Sequence, residues 1–349
     1  MTVYRLDNLA EAIDAKIAAT QGLPRHPGGK RRHLGASVLA RECAREVWYS
    51  YRWATDVRFD GRMLRLFLRG QDEEKRFIEI LDLVGIKVVE RDYSECHTLW
   101  YHPESDSYVV LNPGAEDQGT TRECLDVTDI PWRIEHAKSL GVILPAAKQF
   151  RVLGYMQHFG GSLDGIATGV RAFVPAELLA LIAADELFLS EFKTHGRKSY
   201  DALDMHPKGV RGVKPEHFGQ MQSYMHGRKL RWALYCAVCK DTDRLYFELV
   251  KYDEAYALSL MARAQAIIDA KRPPARIHES PSWHGCKFCD HKPTCKLGVS
   301  MVKSCRTCSL VEVASGGRWF CTKWKRTIPI DAEEKGCDFY VQIDGDHRA

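Results

Sequence analysis

The chain has 349 residues, 45% hydrophobic and 28% charged, an ordinary globular composition, and no run approaches the roughly 20 apolar residues of a membrane-spanning helix. Such a length covers one large domain or two moderate ones, at about 100–200 residues each. Fifty Lys and Arg against 46 Asp and Glu leave a formal charge of +4, which permits a nucleic-acid partner but is too small to argue for one.

Residues 1–20 lack the basic-then-apolar layout of a secretion signal and read as a short amphipathic helix, so a cytoplasmic location is expected. Residues 22–36 mix Gly, Pro and basic side chains and predict a loop, with Lys30, Arg31, Arg32 and His33 as a basic patch. Ser37 stands at an N-cap position before a predicted helical run, in which Leu39, Cys43 and Val47 fall four apart on one apolar stripe. A helix is predicted near 71–84, followed by Gly85 and a strand-like IKVVE. Residues 102–145 are polar and irregular, an insertion carrying short strands. Two β-like runs, KQFRVLGYMQHFG and SLDGIATGV, precede a predicted helix (PAELLALIA) and a strand (ELFLSEFKT). Residues 194–216 are basic, with Gly and Pro, and read as a mobile segment. A helix (HFGQMQSYMHGRKL), two strands (the first with CAVC, then RLYFELVKY) and a helix (DEAYALSLMARAQAIIDAKR) follow. Pro273 and Pro274 then open a cysteine-rich tail.

Asp164 follows a β-like run in GGSLDGIA, and Glu191 and Lys193 lie two apart in FLSEFKTH. Alternation along a strand puts Glu191 and Lys193 on one face while Phe192 turns to the other. Two carboxylates and a backbone carbonyl, that of Phe192, are hard oxygen ligands suited to Mg²⁺ or Mn²⁺. Such an ion polarises a phosphoryl oxygen and activates water, and a lysine beside it orients that water or steadies developing charge. That arrangement suits hydrolysis of a phosphodiester. Ordinary solvated strand faces share the same spacing.

GSLDGIA and SEFKTH resemble the second and third core motifs of the PD-(D/E)XK nucleases, specifically the RecB-type and phage exonuclease branch. LFLRGQDEEKRFIEIL is similar to that branch's first-motif helix, a Gly with an acidic residue four later, here Gly70 and Glu74. QMQSYM is similar to its Gln-x-x-x-Tyr motif, here Gln220 and Tyr224. The chain departs at Gln71, where many relatives carry His, which leaves one-metal against two-metal chemistry open. Glu73 also rivals Glu74 beside the stripe of Phe77 and Leu81. Gln220 and Tyr224, four apart, share a helical face. The resemblance implies that they contact the metal site and the DNA backbone; an ordinary exposed polar face is the alternative. It further implies an α/β, restriction-endonuclease-like core, with a mixed central sheet flanked by helices. The catalytic set it implies is Asp164, Glu191, Lys193, Glu74, Gln220 and Tyr224, in a recombination, repair or DNA-processing enzyme of phage type.

Seven of the twelve cysteines lie between Cys286 and Cys337, clustering that suits metal binding and not core packing. Cys286, Cys289 and Cys295 form C-x2-C-x5-C and leave a fourth ligand to find. Relatives among the CRISPR-adaptation and AddB-type nucleases join an N-terminal Cys to such a trio around a [4Fe–4S] cluster, and the resemblance implies Cys43. A zinc ion there, or a packed Cys43 without metal, are the alternatives. Cys305, Cys308, Cys321 and Cys337 occupy a polar, aromatic-studded segment with almost no hydrophobic core of its own. Four thiolates there suit a closed tetrahedral Zn²⁺ site whose binding supplies folding energy. Cys236 and Cys239, in an apolar strand, read as core, and Cys96 and Cys124 as free thiols.

After Lys193 the chain carries Arg197, Lys198, Lys208, Arg211 and Lys214, candidate phosphate contacts beside the predicted site. The expected organisation is an N-terminal helix and basic loop (1–36), a nuclease core (37–275), an iron–sulfur lobe (276–300, with Cys43) and a zinc module (301–349). The expected activity is exonucleolytic hydrolysis of linear duplex or single-stranded DNA with Mg²⁺ or Mn²⁺. A recombination or annealing protein is a candidate partner, and no membrane is involved. The competing reading is a catalytically inactive nucleic-acid-binding or interaction protein on the same fold. Polarity, DNA against RNA preference and oligomeric state are left open.

Overall fold

The computed structural model describes residues 7–21, 30–92, 98–111, 121, 123–127, 131–142 and 148–343. Cys96 and positions 22–29 of the expected loop lie outside them. In chain order the elements are α1 (Asp7–Ala18), β1 (Leu34–Gly35), α2 (Ala36–Leu39), α3 (Ala44–Arg52), α4 (Gly61–Asp82), β2 (Lys87–Val89) and β3 (Arg91–Asp92). Next come β4 (Thr98–His102), β5 (Ser107–Leu111), β6 (Leu125–Asp126), α5 (Pro131–Ser139), β7 (Lys148–Gln149), β8 (Arg151–Gly154), β9 (Phe159–Ser162) and β10 (Gly165–Thr168). Then follow β11 (Phe188–His195), α6 (Arg197–Asp204), α7 (Gly209–Val213), α8 (Pro215–Arg228), β12 (Trp232–Cys239), β13 (Leu245–Lys251) and α9 (Glu254–Asp269). The tail carries α10 (Lys292–Lys296), β14 (Val311–Ala314), β15 (Arg318–Cys321) and β16 (Arg326–Thr327).

Two compact units result, Met1–Val88 with Arg151–Ala349, and Val89–Phe150. The second holds the sheet β5-β4-β6, with Leu99, Tyr101, Val127 and Ala137 buried in a small core. The first is built on a mixed five-stranded sheet, β13-β12-β11-β10-β2. β11 and β12 run parallel and their neighbours β10 and β13 antiparallel. This is the α/β class expected, a mixed central sheet flanked by helices.

Period-two alternation decides what the sheet's faces carry. Phe188, Phe192, Trp232, Leu234, Cys236 and Val238 form one apolar face and bury against Phe77 and Leu81 of α4. The Phe77 and Phe192 rings stack with centroids 5.2 Å apart. Cys236 is therefore core, as expected. The opposite face of β11 carries Glu191, Lys193 and His195, and α8 packs against β11 and β12.

Several local expectations change. The run after Ser37 is not one helix. It breaks into α2 and α3, and Cys43 caps α3, its sulfur accepting the Glu46 N–H at 3.4 Å. Cys43 thus leaves the apolar stripe. The helix predicted at 71–84 begins far earlier, at Gly61, because the Asp60 carboxylate caps it through the Met63 N–H at 2.7 Å. PAELLALIA forms only a 3-10 turn, Ala176–Leu181. Residues 194–216 hold two short helices, α6 and α7, seated by buried Tyr200, Leu203 and Val210. No helix among the described residues is long and apolar enough to cross a membrane.

The segment after 300 is also less independent than its composition predicts. Trp319 is fully buried, and the guanidinium of Arg52 lies 4.6 Å from its ring centroid. Arg306, fully buried, donates to Glu333 Oε2 at 2.9 Å and to the Tyr51 carbonyl at 3.1 Å, and sits 3.6 Å from the Trp53 ring centroid. Removing one member of a buried ion pair strands the other. Glu333→Ala is expected to cost ~3–5 kcal/mol in denaturant unfolding, whereas Glu333→Leu with Arg306→Met recovers most of it.

Candidate active site

The site is assembled where β10, β11 and α8 meet. Asp164 sits at the turn into β10, and its Oδ2 accepts the Phe192 main-chain N–H at 2.9 Å. That bond ties the carboxylate to the backbone of β11. Glu191, the middle of the same strand, has no exposure to solvent. Neither of its oxygens makes a hydrogen bond of acceptable geometry, although Oε1 touches the Lys193 ammonium in an ion pair. Burial pushes its carboxyl up to about 8, with Lys193 opposing. Lys193 Nζ also donates to the Phe192 carbonyl at 3.2 Å and lies 3.9 Å from Asp164 Oδ2. Burial alone would depress this lysine; the carboxylates of Glu191 and Asp164 outweigh it and hold the ammonium above its ordinary range.

The sequence-derived residues converge to different degrees. The charge of Glu74 acts on both Glu191 and Lys193, whereas Glu73 pairs with Arg76 at 3.3 Å. Of the two, it is the charge of Glu74 that acts on the site. Gly70, one turn earlier on α4, has open space where a Cβ would stand. Gln220 and Tyr224 are buried, not an exposed polar face, and the Gln220 amide lies 3.5 Å from the Tyr224 hydroxyl. Burial, then the charges of Glu191 and Asp164, raise the Tyr224 phenol above its ordinary range.

Gly161 escaped the sequence reading. A Cβ there would stand 2.4 Å from the Tyr224 hydroxyl, so Gly161 clears the space this phenol occupies. The only signal was the Gly-Gly pair itself. Gly161→Ala is expected to cost ~1–3 kcal/mol as an overpacked contact and to turn Tyr224 away from the carboxylates, read as a lower Tm together with weaker Mn²⁺ binding.

Of the five basic candidates, two are ion-paired. Arg197 lies 3.8 Å from Asp201 and Arg211 3.1 Å from Asp253. Lys198 and Lys208 are exposed, and half-buried Lys214 donates to Ser199.

Each cysteine set lines one cavity. Cys43, Cys286, Cys289 and Cys295 share a pocket with His291, whose buried Nδ1 makes no hydrogen bond. Burial, with the charges of Glu46, Cys43 and Cys286 adding to it, pushes the Cys289 thiol up to about 11. Cys305, Cys308, Cys321 and Cys337 line another. Burial and the other three thiols push Cys305 up to about 11. Thiols that raise one another in this way are ones a cation would relieve. Among the described residues, no three His, Cys, Asp or Glu side chains close to metal-binding distance. The sets are gathered, not collapsed onto a centre.

No family model matches the chain, and no curated protein matches it significantly in sequence. Solved structures similar to it include the alkaline exonuclease LHK-Exo from Laribacter hongkongensis, at 15% identity over 68% of this chain and 87% of that one, with a TM-score of 0.35. The complex of LHK-Exo with dAMP gives the same values. SSO0001 is similar at 12% identity over 84% of this chain and 98% of its own, with a TM-score of 0.38. Likeness at this level assigns no activity to the chain.

Proposed function

We propose that the chain is a divalent-metal-dependent DNA nuclease of the PD-(D/E)XK type, acting on DNA ends. The observation that carries the reading is Glu191, a carboxylate with no exposure to solvent, ion-paired with Lys193 close to the Asp164 carboxylate. Two carboxylates gathered around one ammonium leave net negative charge that a divalent cation would offset. Asp164, Glu191 and the Phe192 carbonyl would hold Mg²⁺ or Mn²⁺, with Glu74 adding negative charge. The ion supplies phosphoryl polarisation, an ionised water and charge for the leaving oxygen. Lys193 donates to the attacking water or to the developing oxyanion. Gln220 and Tyr224 hold the DNA backbone over that centre from α8. Arg197, Lys198, Lys208, Arg211 and Lys214 add phosphate contacts that position the strand without reading its sequence.

Cys43, Cys286, Cys289 and Cys295 are proposed to hold a [4Fe–4S] cluster that joins the two ends of a roughly 250-residue loop and lowers unfolded-state entropy. Cys305, Cys308, Cys321 and Cys337 are proposed to hold zinc. The setting that suits such an enzyme is recombination, repair or DNA processing in the cytoplasm, as a phage-type protein with a recombination or annealing partner.

The test is degradation of end-labelled linear DNA with Mg²⁺ or Mn²⁺, on protein purified without oxygen. Wild type is expected to cleave and Lys193→Ala to lose cleavage. Equal activity in both, or none in either with metals intact, overturns the reading and leaves a nucleic-acid-binding protein on this fold.

A further inference from the structure

The face of β11 that carries Glu191 and Lys193 continues into a second polar cluster. His195 follows Lys193 on the same side of the strand. On β12, Tyr235 pairs in register with Glu191 and Ala237 with Lys193. The small Ala237 leaves room for the Tyr235 phenol to lean along the strand toward His195. Its hydroxyl lies 2.9 Å from His195 Nε2 and 2.9 Å from His217 Nδ1 of α8. The two imidazoles stack, with centroids 5.7 Å apart and planes inclined by 19°. At the far end, His195 Nδ1 is 3.4 Å from Ser199 Oγ, and Ser199 Oγ accepts from the Lys214 ammonium.

One end of this chain has no choice of direction. An ammonium only donates. Ser199 therefore accepts from Lys214, and its own proton is free to turn to His195 Nδ1. With that proton given to Nδ1, His195 carries its hydrogen on Nε2 and donates it to the Tyr235 oxygen. Tyr235 in turn donates to His217 Nδ1, which leaves the His217 hydrogen on Nε2. Nothing among the described residues accepts from that N–H, and His217 is only half-buried. Both rings are neutral at physiological pH. Burial, together with the charges of Lys214, Lys193 and Lys240, holds His195 down to about 4, and burial with Lys193, His195 and Lys214 holds His217 down to about 3. Tyr235 keeps its proton, because burial and the Glu191 and Glu248 carboxylates raise it.

We propose that the Lys214–Ser199–His195–Tyr235–His217 chain fixes the His217 Nε2–H as a phosphate-oxygen donor beside the metal centre, gripping the nucleic-acid strand that crosses Lys193. A neutral N–H held in one direction, flanked by Lys193 and Lys214, matches an anionic oxygen acceptor. His217 is the binding residue; His195, Tyr235 and Ser199 are positioning residues acting through it. The inference rests on the nuclease reading for the identity of the strand, but the tautomer does not.

The first measurement is a long-range ¹H–¹⁵N correlation on histidine-labelled wild-type protein. Both rings are expected as the Nε2–H tautomer; His217 protonated on Nδ1 overturns the proposal. The second is affinity for a fluorescent 20-base-pair duplex without added divalent metal. His217→Ala and Tyr235→Phe are expected to weaken binding about tenfold, the size of one hydrogen bond to a charged acceptor, with the His217 tautomer released in Tyr235→Phe. His217→Gln, which retains a donor, stays within about twofold of wild type if the bond is the cause. Unchanged affinity in His217→Ala overturns the proposal. Wild type that binds the duplex and shows these effects, yet never cleaves with Mg²⁺, removes the nuclease reading alone.

Discussion

Glu191→Gln is expected to lower metal-dependent DNA cleavage by roughly 10²–10³-fold or more, the scale of losing a principal electrostatic group at a reacting centre. Glutamine keeps the volume and one acceptor oxygen but not the charge. Wild type should meanwhile bind metal in a strongly pH-dependent way, since the carboxyl is pushed up to about 8 by burial. Metal displaces a proton there, so Mn²⁺ affinity is expected to fall about tenfold per pH unit below that value. The metal-free fold follows the opposite course. A folded-state value above the unfolded one, 4.5, means the native state binds the proton more tightly. That contribution to stability is complete below about 4.5 and is lost as pH rises toward about 8. Thermal unfolding without metal should therefore weaken over that interval, and added Mg²⁺ should raise Tm more at pH 8.5 than at pH 6. A Tm and a metal affinity both flat across this range would remove Glu191 as the buried ligand.

Extraction of the proposed zinc is expected to have the largest effect on stability. Structural Zn²⁺ binding contributes apparent free energies of ~10–16 kcal/mol in small modules, far above a single core contact. Cys321→Ser removes one of four ligands, and elemental analysis should show one zinc lost per chain. The consequence reaches beyond the tail. Trp319 and Arg306 are fully buried, Arg306 against Tyr51 and Trp53, residues at the C-terminal end of α3. Loosening the segment should expose that tryptophan, read as a red-shifted emission and a lower Tm. Cys124→Ser, in the other compact unit, is the control and should change neither. Full zinc content in Cys321→Ser would refute the assignment.

The pairing of Glu191 with Lys193 was legible because strand alternation is a local rule, and a single residue's slip would have moved both to the apolar face. The same holds for Gln220 and Tyr224, which any α-helix places on one side. Local rules could not say whether that side is exposed. Only the packing of α8 over β11 and β12 buries both residues near the carboxylates. Choosing Glu74 over Glu73 was equally a matter of how α4 rotates against the sheet. His217 shows the limit from the other direction. It stands three residues before Gln220, on nearly the same helical face, and gains meaning only from a tyrosine on a different strand.

Short-range spacings by themselves therefore determined the carboxylate–lysine strand, the Cys286–Cys289–Cys295 trio and the Cys305–Cys337 group, whereas the α/β class and the joining of Cys43 to the trio came from the family resemblance. Hydrogen bonds and burial between distant segments decided the rest. Residues 194–216 became helical because Tyr200, Leu203 and Val210 found a surface to bury against. Arg306 joined the tail to α3 because a buried guanidinium needs partners that its neighbours in sequence do not supply. Backbone periodicity is set within a few residues, whereas desolvation depends on what the whole chain brings alongside.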